Sequence, residues 1–325
     1  MSTRQQQREQ LRQQQPKSGP PTCLIMLLGL LALLICVVAA GFLIVPLLRN
    51  ANINLPFLSA GATQTPAPTQ PVVGAKFVMH VIDVGQGDSI LLLGPGGSTM
   101  LIDGGEKNSG SLTYLKAHNI ERINMMVATH TDADHIGGLV DILAALPVDE
   151  VVATGATANT KTYEQFLDGI ATAKAKYTEV HRGDKLALDG MSFLVLNPGV
   201  DDKIKDANDS SIVLRTEYGP TSFMFMGDAE KQAENRIIAS GLPMQATILK
   251  VGHHGSSTSS SPAFLQAVQP KIAIYSAGLN NKYGHPSPTT ITNLTKSGTQ
   301  IYGTIASGTV TVTADSQGYT VETEK

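Results

Sequence analysis

The sequence predicts a mixed α/β domain that is preceded by one transmembrane helix. Three observations support this prediction: a long apolar run near the amino terminus, an alternation of strand-like and helix-like segments over residues 76–325, and polar residues at the ends of predicted strands. Of the 325 residues, 42% are hydrophobic and 16% are charged, which excludes disorder as the overall class. In such a domain, sheets are buried on one face and helices cover the other.

The first element is the apolar run at residues 23–48, which is longer than the roughly 20 residues that span a bilayer. Four basic residues precede this run and only Glu9 opposes them, whereas no basic residue lies between Arg49 and Lys76. By the positive-inside bias, residues 1–22 are a cytoplasmic tail and the chain after Arg49 lies outside the cell. The sequence therefore predicts a single-pass membrane protein.

The same run has an alternative interpretation as a cleaved signal peptide, because Val38-Ala39-Ala40 resembles a small-residue cleavage site. The apolar part of a signal peptide is typically about 7 to 15 residues long. Here the apolar residues continue to Leu48, so a retained anchor is the preferred prediction and secretion is the second. Both cysteines, Cys23 and Cys36, lie within the run. Any metal in the rest of the chain is therefore held by His, Asp, Glu or Asn.

The next segment, residues 49–75, is rich in Pro, Thr and Ala and has no periodic apolar pattern, which predicts a semi-extended linker. Residues 1–49 carry a net charge of +4 within a total of −3, so the remainder of the chain carries −7. That charge is a poor match to bulk binding of nucleic acid, which relies on Lys and Arg to neutralise phosphates. Two divalent ions would cancel four of the negative charges.

The domain itself is predicted over residues 76–325 as alternating strands and helices. The predicted strands lie at residues 76–85, 89–94, 99–105, 124–130, 150–155, 191–197, 211–219, 222–228, 246–252 and 271–278. The predicted helices lie at residues 137–146, 163–176, 229–240 and 262–268. Several of these strands end in Asp or His, at the position where α/β folds bind their ligands.

The strongest chemical pattern is His130-Thr131-Asp132-Ala133-Asp134-His135, which lies directly after a predicted strand and before a helix. Four side chains able to bind metal thus occur within six residues, a spacing that suits two ions a few ångström apart. A solvated loop with a helix cap would explain one Asp, because Asp is favourable at a helix start. It would not explain two His and two Asp at this spacing, so the pattern predicts a metal site.

The run THTDADHIGG resembles the HxHxDH signature of the metallo-β-lactamase fold, in an HxDxDH form. Six further blocks occur in order, so that residues 76–325 are similar to the external hydrolase domain of ComEC competence proteins. These blocks are DVGQGDSILL, LIDGG, NDSSIVL, MGDAE, LKVGHHGSSTS and NKYGHPSP. The resemblance implies a four-layer αββα sandwich and a metal-dependent hydrolase.

Residue roles follow from the resemblance, position by position. It implies that His130 and Asp132 bind a first metal ion, that Asp134 and His135 bind a second, and that Asp228 bridges the two. One of His253 and His254 matches the last histidine of the family, and the sequence does not choose between them. The third histidine of the superfamily is replaced by Asn208-Asp209, with Asp209 as the expected ligand. The implied metal ligands are His130, Asp132, Asp134, His135, Asp209, Asp228, His253 and His254.

Two of these positions have oxygen where the superfamily has nitrogen, namely Asp132 and Asp209. Oxygen-rich sites favour harder ions, so manganese and magnesium become candidates beside zinc, and the inference to β-lactam hydrolysis weakens. Further residues are expected around the metals or the substrate, although ordinary turns and caps would explain each of them equally well. They are Asp83, Asp88, Asp103, Asn208, Lys250 and Ser256.

The expected chemistry is hydrolysis, with a hydroxide that bridges two divalent ions as the nucleophile. Asp134 is a candidate proton acceptor, and His285 is a candidate acid for the leaving oxygen. The first functional hypothesis is a membrane-anchored, extracellular phosphodiesterase or nuclease, with a phosphodiester such as DNA as substrate. The alternatives are a hydrolase of carboxylic esters, lactones or phosphocholine-type substrates, and a noncatalytic surface module that carries metal. No protein partner can be inferred.

Overall fold

The computed structural model describes residues 74–325, and the predicted tail, the predicted transmembrane helix and nearly all of the predicted linker lie outside this range. Within it, no helix is long and apolar enough to cross a membrane. The described residues form a mixed α/β fold with two sheets and helices, which confirms that part of the predicted fold class.

The amino-terminal half forms most of the first sheet and three helices. Its elements are β1 (Phe77–Val81), β2 (Ile90–Leu93), β3 (Thr99–Ile102), α1 (Ser111–Ala117), β4 (Ile123–Val127), α2 (Ala133–Ala145), β5 (Val148–Ala153), α3 (Lys161–Ala173) and β6 (Lys176–Glu179). Strands β3, β4, β5 and β6 pair in parallel, and α2 and α3 connect three of them in the crossover arrangement that parallel strands require.

The carboxyl-terminal half forms the second sheet and then returns to the first. Its elements are β7 (Lys185–Leu188), β8 (Met191–Asn197), β9 (Val213–Tyr218), β10 (Thr221–Phe225), α4 (Lys231–Ser240), β11 (Ile248–Lys250), α5 (Pro262–Val268), β12 (Ile272–Tyr275), α6 (Pro288–Lys296), β13 (Gln300–Gly303), α7 (Thr304–Ser307), β14 (Val310–Ala314) and β15 (Tyr319–Thr323). The first sheet has the order β15-β14-β1-β2-β3-β4-β5-β6, and the second has the order β13-β12-β11-β10-β9-β8-β7.

Three apolar clusters arrange these elements in layers of helix, sheet, sheet and helix. In β3 and β10, alternate residues enter different clusters, because successive side chains of a strand point to opposite faces. Phe77 of β1 and Phe223 of β10 meet between the two sheets, with ring centroids 5.0 Å apart. Leu101 of β3 packs under the helices of the first half, and Met224 of β10 packs under those of the second half.

The ends of four strands meet at one edge of this sandwich. The chain runs from β3 into Asp103, from β4 into Thr129 and His130, from β10 into Asp228, and from β11 into the His253-His254 pair. Side chains from distant parts of the sequence are therefore brought together where the strands stop, as expected for an α/β fold.

The structure differs from the predicted elements at several boundaries. Helix α2 begins at Ala133 rather than Gly137, so Asp134 and His135 lie in its first turn. Helix α3 ends at Ala173 because Lys174 adopts a left-handed conformation (φ 54°), and Lys176 already belongs to β6. The elements after residue 278 were not predicted, although the alternation Val310-Thr311-Val312-Thr313 is typical of a strand.

Candidate metal centre

Asp103 orients the HTDADH segment and its histidines through hydrogen bonds. The Asp103 carboxylate accepts hydrogen bonds from the Thr129 backbone N–H (2.9 Å) and the Thr129 hydroxyl (2.7 Å), and it lies 2.7 Å from His135 Nδ1. His130 Nδ1 is 3.1 Å from the Thr129 hydroxyl. Both imidazoles are buried, and these contacts leave their Nε2 atoms facing the same space. Asp103 thus lies where a residue that orients a metal-binding loop is needed.

Asp228 lies at the centre of the cluster. Its Oδ1 is 3.2 Å from His135 Nε2, and its Oδ2 is 3.4 Å from His254 Nε2. His253 Nε2 and His130 Nε2 lie farther from Oδ2, at 3.6 and 4.0 Å. Both oxygens therefore face imidazoles that come from different strand ends, which is the arrangement that a carboxylate bridging two ions requires.

The two adjacent histidines differ in their surroundings. His254 is buried, and its Nε2 faces both Asp228 and Asp134 Oδ2, the latter at 3.3 Å. His253 is partly exposed, and its Nδ1 lies 2.8 Å from Glu230 Oε1. The geometry therefore favours His254 over His253 as the metal ligand, and His253 lies at the rim of the cluster.

Backbone strain is concentrated in this part of the chain. His253 and His254 both have positive φ, at 46° and 53°, and Asp103 has φ 57°. Non-glycine residues rarely adopt this region, at a cost of about 1 to 3 kcal/mol each, and such residues cluster at functional sites. Two consecutive left-handed residues turn successive imidazoles in different directions, so only one of them enters the buried cluster.

Glycines allow the loops around the cluster to approach each other closely. A Cβ on Gly138 of α2 would lie 1.9 Å from the Gly104 carbonyl oxygen, and one on Gly87 would lie 2.2 Å from the Asp134 carbonyl oxygen. The Gly104 N–H donates to the His135 carbonyl (2.8 Å). The glycines of the LIDGG, HIGG and DVGQGD segments thus fix the first turn of α2 against the β3 end.

Four ligand atoms in the cluster are buried and have no hydrogen-bond partner: the Nε2 atoms of His130, His135 and His254, and Asp228 Oδ1. Buried polar atoms without partners are costly, and such groups occur where an ion or water is bound. The ligand atoms fall into groups within 4.8 Å of one another. Two of these groups are His130, His135 and Asp228, and Asp134, His135 and His254. Nitrogen and carboxylate donors of this kind fit a divalent metal.

The electrostatics of the cluster favour added positive charge. Burial alone would lower the pKa of His135, but Asp228 and Asp103 outweigh it and raise that pKa well above its usual value. The pKa of His254 is raised in the same way, by Asp228 and Asp134 against the effect of burial. Burial would raise the pKa of Asp228, yet His135 and His254 hold it well below its usual value. Protons and metal ions therefore compete for the same nitrogen atoms.

Two further predicted ligands, Asp209 and Asp132, have different surroundings. Asp209 is buried, but its Oδ1 accepts the Ala233 backbone N–H (2.9 Å) in the first turn of α4 and lies 3.9 Å from an Arg236 nitrogen. Asp209 Oδ1 thus bonds the first turn of α4, and the role of Asp209 as a metal ligand stays a prediction. Asp132 lies nearer, with Oδ2 3.7 Å from His130 Nε2, and its side chain is half exposed.

Asp88 and Lys250 form a fully buried ion pair beneath the cluster. Lys250 Nζ donates to Asp88 Oδ2 (2.6 Å) and to the Val251 carbonyl (3.0 Å). The other oxygen of Asp88 lies 3.4 Å from His254 Nδ1. Burial would raise the pKa of Asp88, but Lys250 and His254 lower it to about 2. The hydrogen-bond partner of His254 Nδ1 is the Ser276 carbonyl, at 3.1 Å, and Asp88 adds negative charge beside the ring. Lys250 is buried and is not accessible to a substrate.

The other residues expected near the site lie at or beyond its rim. The Asn208 side-chain amide donates to Glu230 Oε1 (3.5 Å), and Ser256 Oγ lies 2.8 Å from the Thr258 hydroxyl. Asp83 lies 3.2 Å from Lys325 Nζ, outside the cluster.

His285 borders the cluster on its exposed side. Its ring centroid is 5.2 Å from that of His253 and 6.2 Å from that of His254. Burial and repulsion from His253 and His254 lower the pKa of His285 to about 4, so the ring is neutral at pH 7. The predicted role of His285 as an acid therefore requires a bound anion that raises this pKa.

Sequence reasoning missed two residues. Ser211 Oγ accepts the Asp228 backbone N–H (3.0 Å) and lies 3.4 Å from His130 Nδ1, close to where Asp209 was expected. Glu230 holds His253 and accepts the Thr258 hydroxyl (2.7 Å). Ser211 occurs in the NDSSIVL block, but its distance from Asp209 is only two residues, and the pattern alone does not show which side chain turns inward.

Two sheets with helices on their outer faces, and a buried His/Asp cluster at the ends of their strands, define a metal-binding hydrolase fold. The chain matches the metallo-beta-lactamase superfamily over residues 82–278 and belongs to that superfamily, whose members are generally metal-dependent hydrolases.

The curated proteins to which the chain is similar include three with names that refer to competence or recombination. They are ComE operon protein 3 of Bacillus subtilis (31% identity, 74% of this chain and 33% of the relative), competence protein ComA of Neisseria gonorrhoeae (30%, 70% and 31%) and recombination protein 2 of Haemophilus influenzae (30%, 82% and 33%). These relatives confirm the predicted resemblance to the hydrolase domain of competence proteins. The chain spans about a third of the length of each relative.

Proposed function

We propose that this protein is a metal-dependent phosphodiesterase that hydrolyses nucleic acid. The observation that carries the proposal is the convergence of buried, unpartnered imidazole nitrogens on Asp228. The names of the relatives support a substrate related to DNA, and the cluster supports metal-assisted hydrolysis. The charge bias around residues 23–48 supports a single membrane anchor, with the catalytic domain outside the cell.

Two divalent ions fit the groups of side chains described above. His130, His135 and Asp228 would hold one ion. Asp134 and His254 would hold the other, and Asp228 Oδ2 lies 3.4 Å from His254 Nε2. Such ions lower the pKa of bound water and stabilise the charge on an attacked phosphoryl group. Zinc and manganese are the candidate metals, and magnesium is compatible with the carboxylates.

The remaining roles belong to the side chains of this chain. Asp103 and the Ser276 carbonyl hold the Nδ1 atoms of His135 and His254, so that the Nε2 atoms keep their direction. Asp134 is partly exposed and faces the cluster, so it is placed to accept a proton from water that enters from the open side. The neutral His285 is placed to donate one N–H to an oxygen of the substrate.

The test is an activity assay on the purified full chain with manganese or zinc. We expect hydrolysis of single-stranded DNA and of a simple phosphodiester, loss of activity with EDTA, and little activity on lactones or carboxylic esters. Asp134→Asn should lower turnover by about 10²-fold or more, in line with the sensitivity of preorganised sites.

Asp141→Asn is a matched control for that variant. Asp141 lies on the same helix as Asp134, but it accepts the Asn108 backbone N–H (2.9 Å) away from the cluster, so turnover should be unchanged. Hydrolysis of lactones or esters alone would replace the proposal with the second hypothesis. Metal binding without any hydrolysis would support the third hypothesis, a noncatalytic surface module that carries metal.

A further inference from the structure

An aromatic side chain lies exposed on the loop that leads into His285. Tyr283 has 56% of its surface exposed, although large hydrophobic residues are mostly buried in the described part of the chain. The loop around it is held in place by Asn281, whose side chain accepts the Tyr283 and His285 backbone N–H groups (3.1 and 3.0 Å) and donates to the Gly278 carbonyl (2.9 Å). Tyr283 is therefore presented to solvent by a defined loop.

The Tyr283 ring is connected to the metal centre through other rings. It stacks on His285 with centroids 5.7 Å apart and an interplanar angle of 23°. His285 in turn lies 5.2 Å from His253 and 6.2 Å from His254. Tyr283 is thus two ring-to-ring steps from His254, a candidate metal ligand.

A cation lies beside the same ring. Lys282 Nζ is 5.0 Å from the centroid of Tyr283. An exposed cation–π contact is weaker than the stacking of a base on an aromatic ring, so a base can displace the lysine from the ring. The ammonium group would then lie next to the phosphate that accompanies the base.

Resting on the function proposed above, we propose that Tyr283 and Lys282 form a nucleotide subsite for a single-stranded nucleic acid. The base stacks on Tyr283 beside His285, and Lys282 contacts the adjacent phosphate, so that the neighbouring phosphodiester is directed to the metal centre. The charge of the chain supports this mode of recognition. The chain beyond residue 49 carries a net charge of −7, so stacking must replace the electrostatic groove that supplies affinity in basic proteins.

A purely structural role for Tyr283, as a cover over His285, makes a different forecast. Loss of a cover would lower activity on every substrate alike, whereas loss of a stacking partner matters only where a base is present. A series of single-stranded oligonucleotides, each with one abasic position, separates these two cases. We would measure kcat/KM with the full chain, and Kd by fluorescence anisotropy in an Asp228→Asn background, in which cleavage is expected to be at least about 10²-fold slower.

We expect removal of one particular base to weaken binding by about 5-fold or more, as is typical for loss of one stacked base. Tyr283→Ala should bind the intact strand as weakly as the wild type binds that abasic strand, and should lose nothing further when the base is removed. Tyr283→Phe should behave as the wild type, because it retains the ring. Ile238→Ala, which truncates an exposed apolar side chain on α4, is the control for nonspecific effects.

The outcomes separate the subsite from the proposed function. Equal effects of Tyr283→Ala on intact and abasic strands, together with hydrolysis of DNA, would overturn the subsite and leave the function standing. Base-dependent binding through Tyr283 without any hydrolysis would overturn the function and support the subsite. If the experiments find no hydrolysis and no base-dependent binding, both the subsite and the proposed function are overturned.

Discussion

Asp228 is the residue on which the proposed two-metal arrangement depends, because both of its oxygens face histidine nitrogens from other strand ends. Asparagine keeps the shape of this side chain and removes its charge. We expect Asp228→Asn to fold and to lower turnover by at least about 10²-fold, since preorganised electrostatic sites are that sensitive. We also expect metal content to fall from about two ions per chain, the number typical of two-metal hydrolases. Elemental analysis and steady-state kinetics check the two parts.

Asp209→Asn is the matched comparison, since Asp209 is a predicted ligand whose Oδ1 accepts the Ala233 backbone N–H in the first turn of α4. Asparagine is nearly as good a cap as aspartate, so both metal content and turnover should be close to those of the wild type. Loss of metal in Asp209→Asn would show that Asp209 is a metal ligand. Near-normal turnover in Asp228→Asn would contradict the proposal that Asp228 bridges two metal ions.

His80 lies on β1, away from the metal centre, and couples stability to pH. Burial, and then repulsion from His118, lowers the pKa of His80 to about 4. Between pH 6.5 and 4 the unfolded chain binds a proton at His80 that the folded chain does not, so the stability that His80 contributes is present above pH 6.5 and is lost as the pH falls to 4. The shift corresponds to about 3 kcal/mol.

We therefore expect His80→Gln to lose less stability on acidification than the wild type. The side chain of glutamine can still bond the Tyr114 and Thr311 hydroxyls, which lie 3.0 and 3.1 Å from His80 Nδ1. Urea unfolding of both proteins between pH 7 and 4 measures the difference in their free energies of unfolding. The contributions of carboxylates that titrate in both proteins cancel in this difference. Parallel curves would show that His80 titrates normally in the folded state.

At the scale of elements, α2 contacts the end of β3 closely because Gly138 has no side chain. A Cβ on Gly138 would meet the Gly104 carbonyl, which is backbone and cannot move aside. We expect Gly138→Ala to destabilise the fold by roughly 2 kcal/mol or more, as in overpacked cores. Gly169→Ala on α3 is the control, because its Cβ would approach only the flexible Leu143 side chain, at 3.3 Å.

In Gly169→Ala, the helix propensity of alanine, up to about 1 kcal/mol better than that of glycine, offsets the tighter contact. Thermal unfolding of the two variants should therefore give a large decrease in midpoint for Gly138→Ala and almost none for Gly169→Ala. Equal midpoints would mean that the first turn of α2 can shift without cost.

The elements show what a sequence can and cannot predict here. Apolar runs such as MSFLVLN predicted β8 with its observed bounds, because local alternation decides strand formation. The order of the motifs indicated which strand ends carry the site. The choice between His253 and His254 depended on two consecutive left-handed residues, and that conformation follows from tertiary contacts rather than from the local pattern.

The surroundings of Asp209 depend on a related feature of the backbone. Asp209 and Ser211 lie two residues apart on either side of a single 3-10 turn, Asn208–Ser210, and the turn points the aspartate toward α4 and the serine toward His130. The sequence predicted Asp209 as the ligand at Asn208-Asp209 and did not single out Ser211. Only the direction of the turn decides between them, and no periodicity encodes it.

At the scale of the whole molecule, membrane topology stays a prediction. If residues 1–22 are cytoplasmic and the domain lies outside, protease added to intact cells should release a soluble fragment that begins within residues 50–75. Immunoblotting of the supernatant detects this fragment. Release only from disrupted cells would show that the orientation is reversed, and release without protease would indicate signal cleavage.

The pairing of β1 has a mechanical consequence for a domain held at that end. Strand β1 pairs antiparallel with β14, and β14 pairs antiparallel with β15, so β1 and β15 run in the same direction. A pull between Gly74 and Lys325 draws these two strands in opposite directions along their axes. The hydrogen bonds of both ladders then carry the load together in shear, instead of opening one after another. Forced unfolding is governed by the unfolding rate, and this geometry makes tension on the two ends a slow route to rupture.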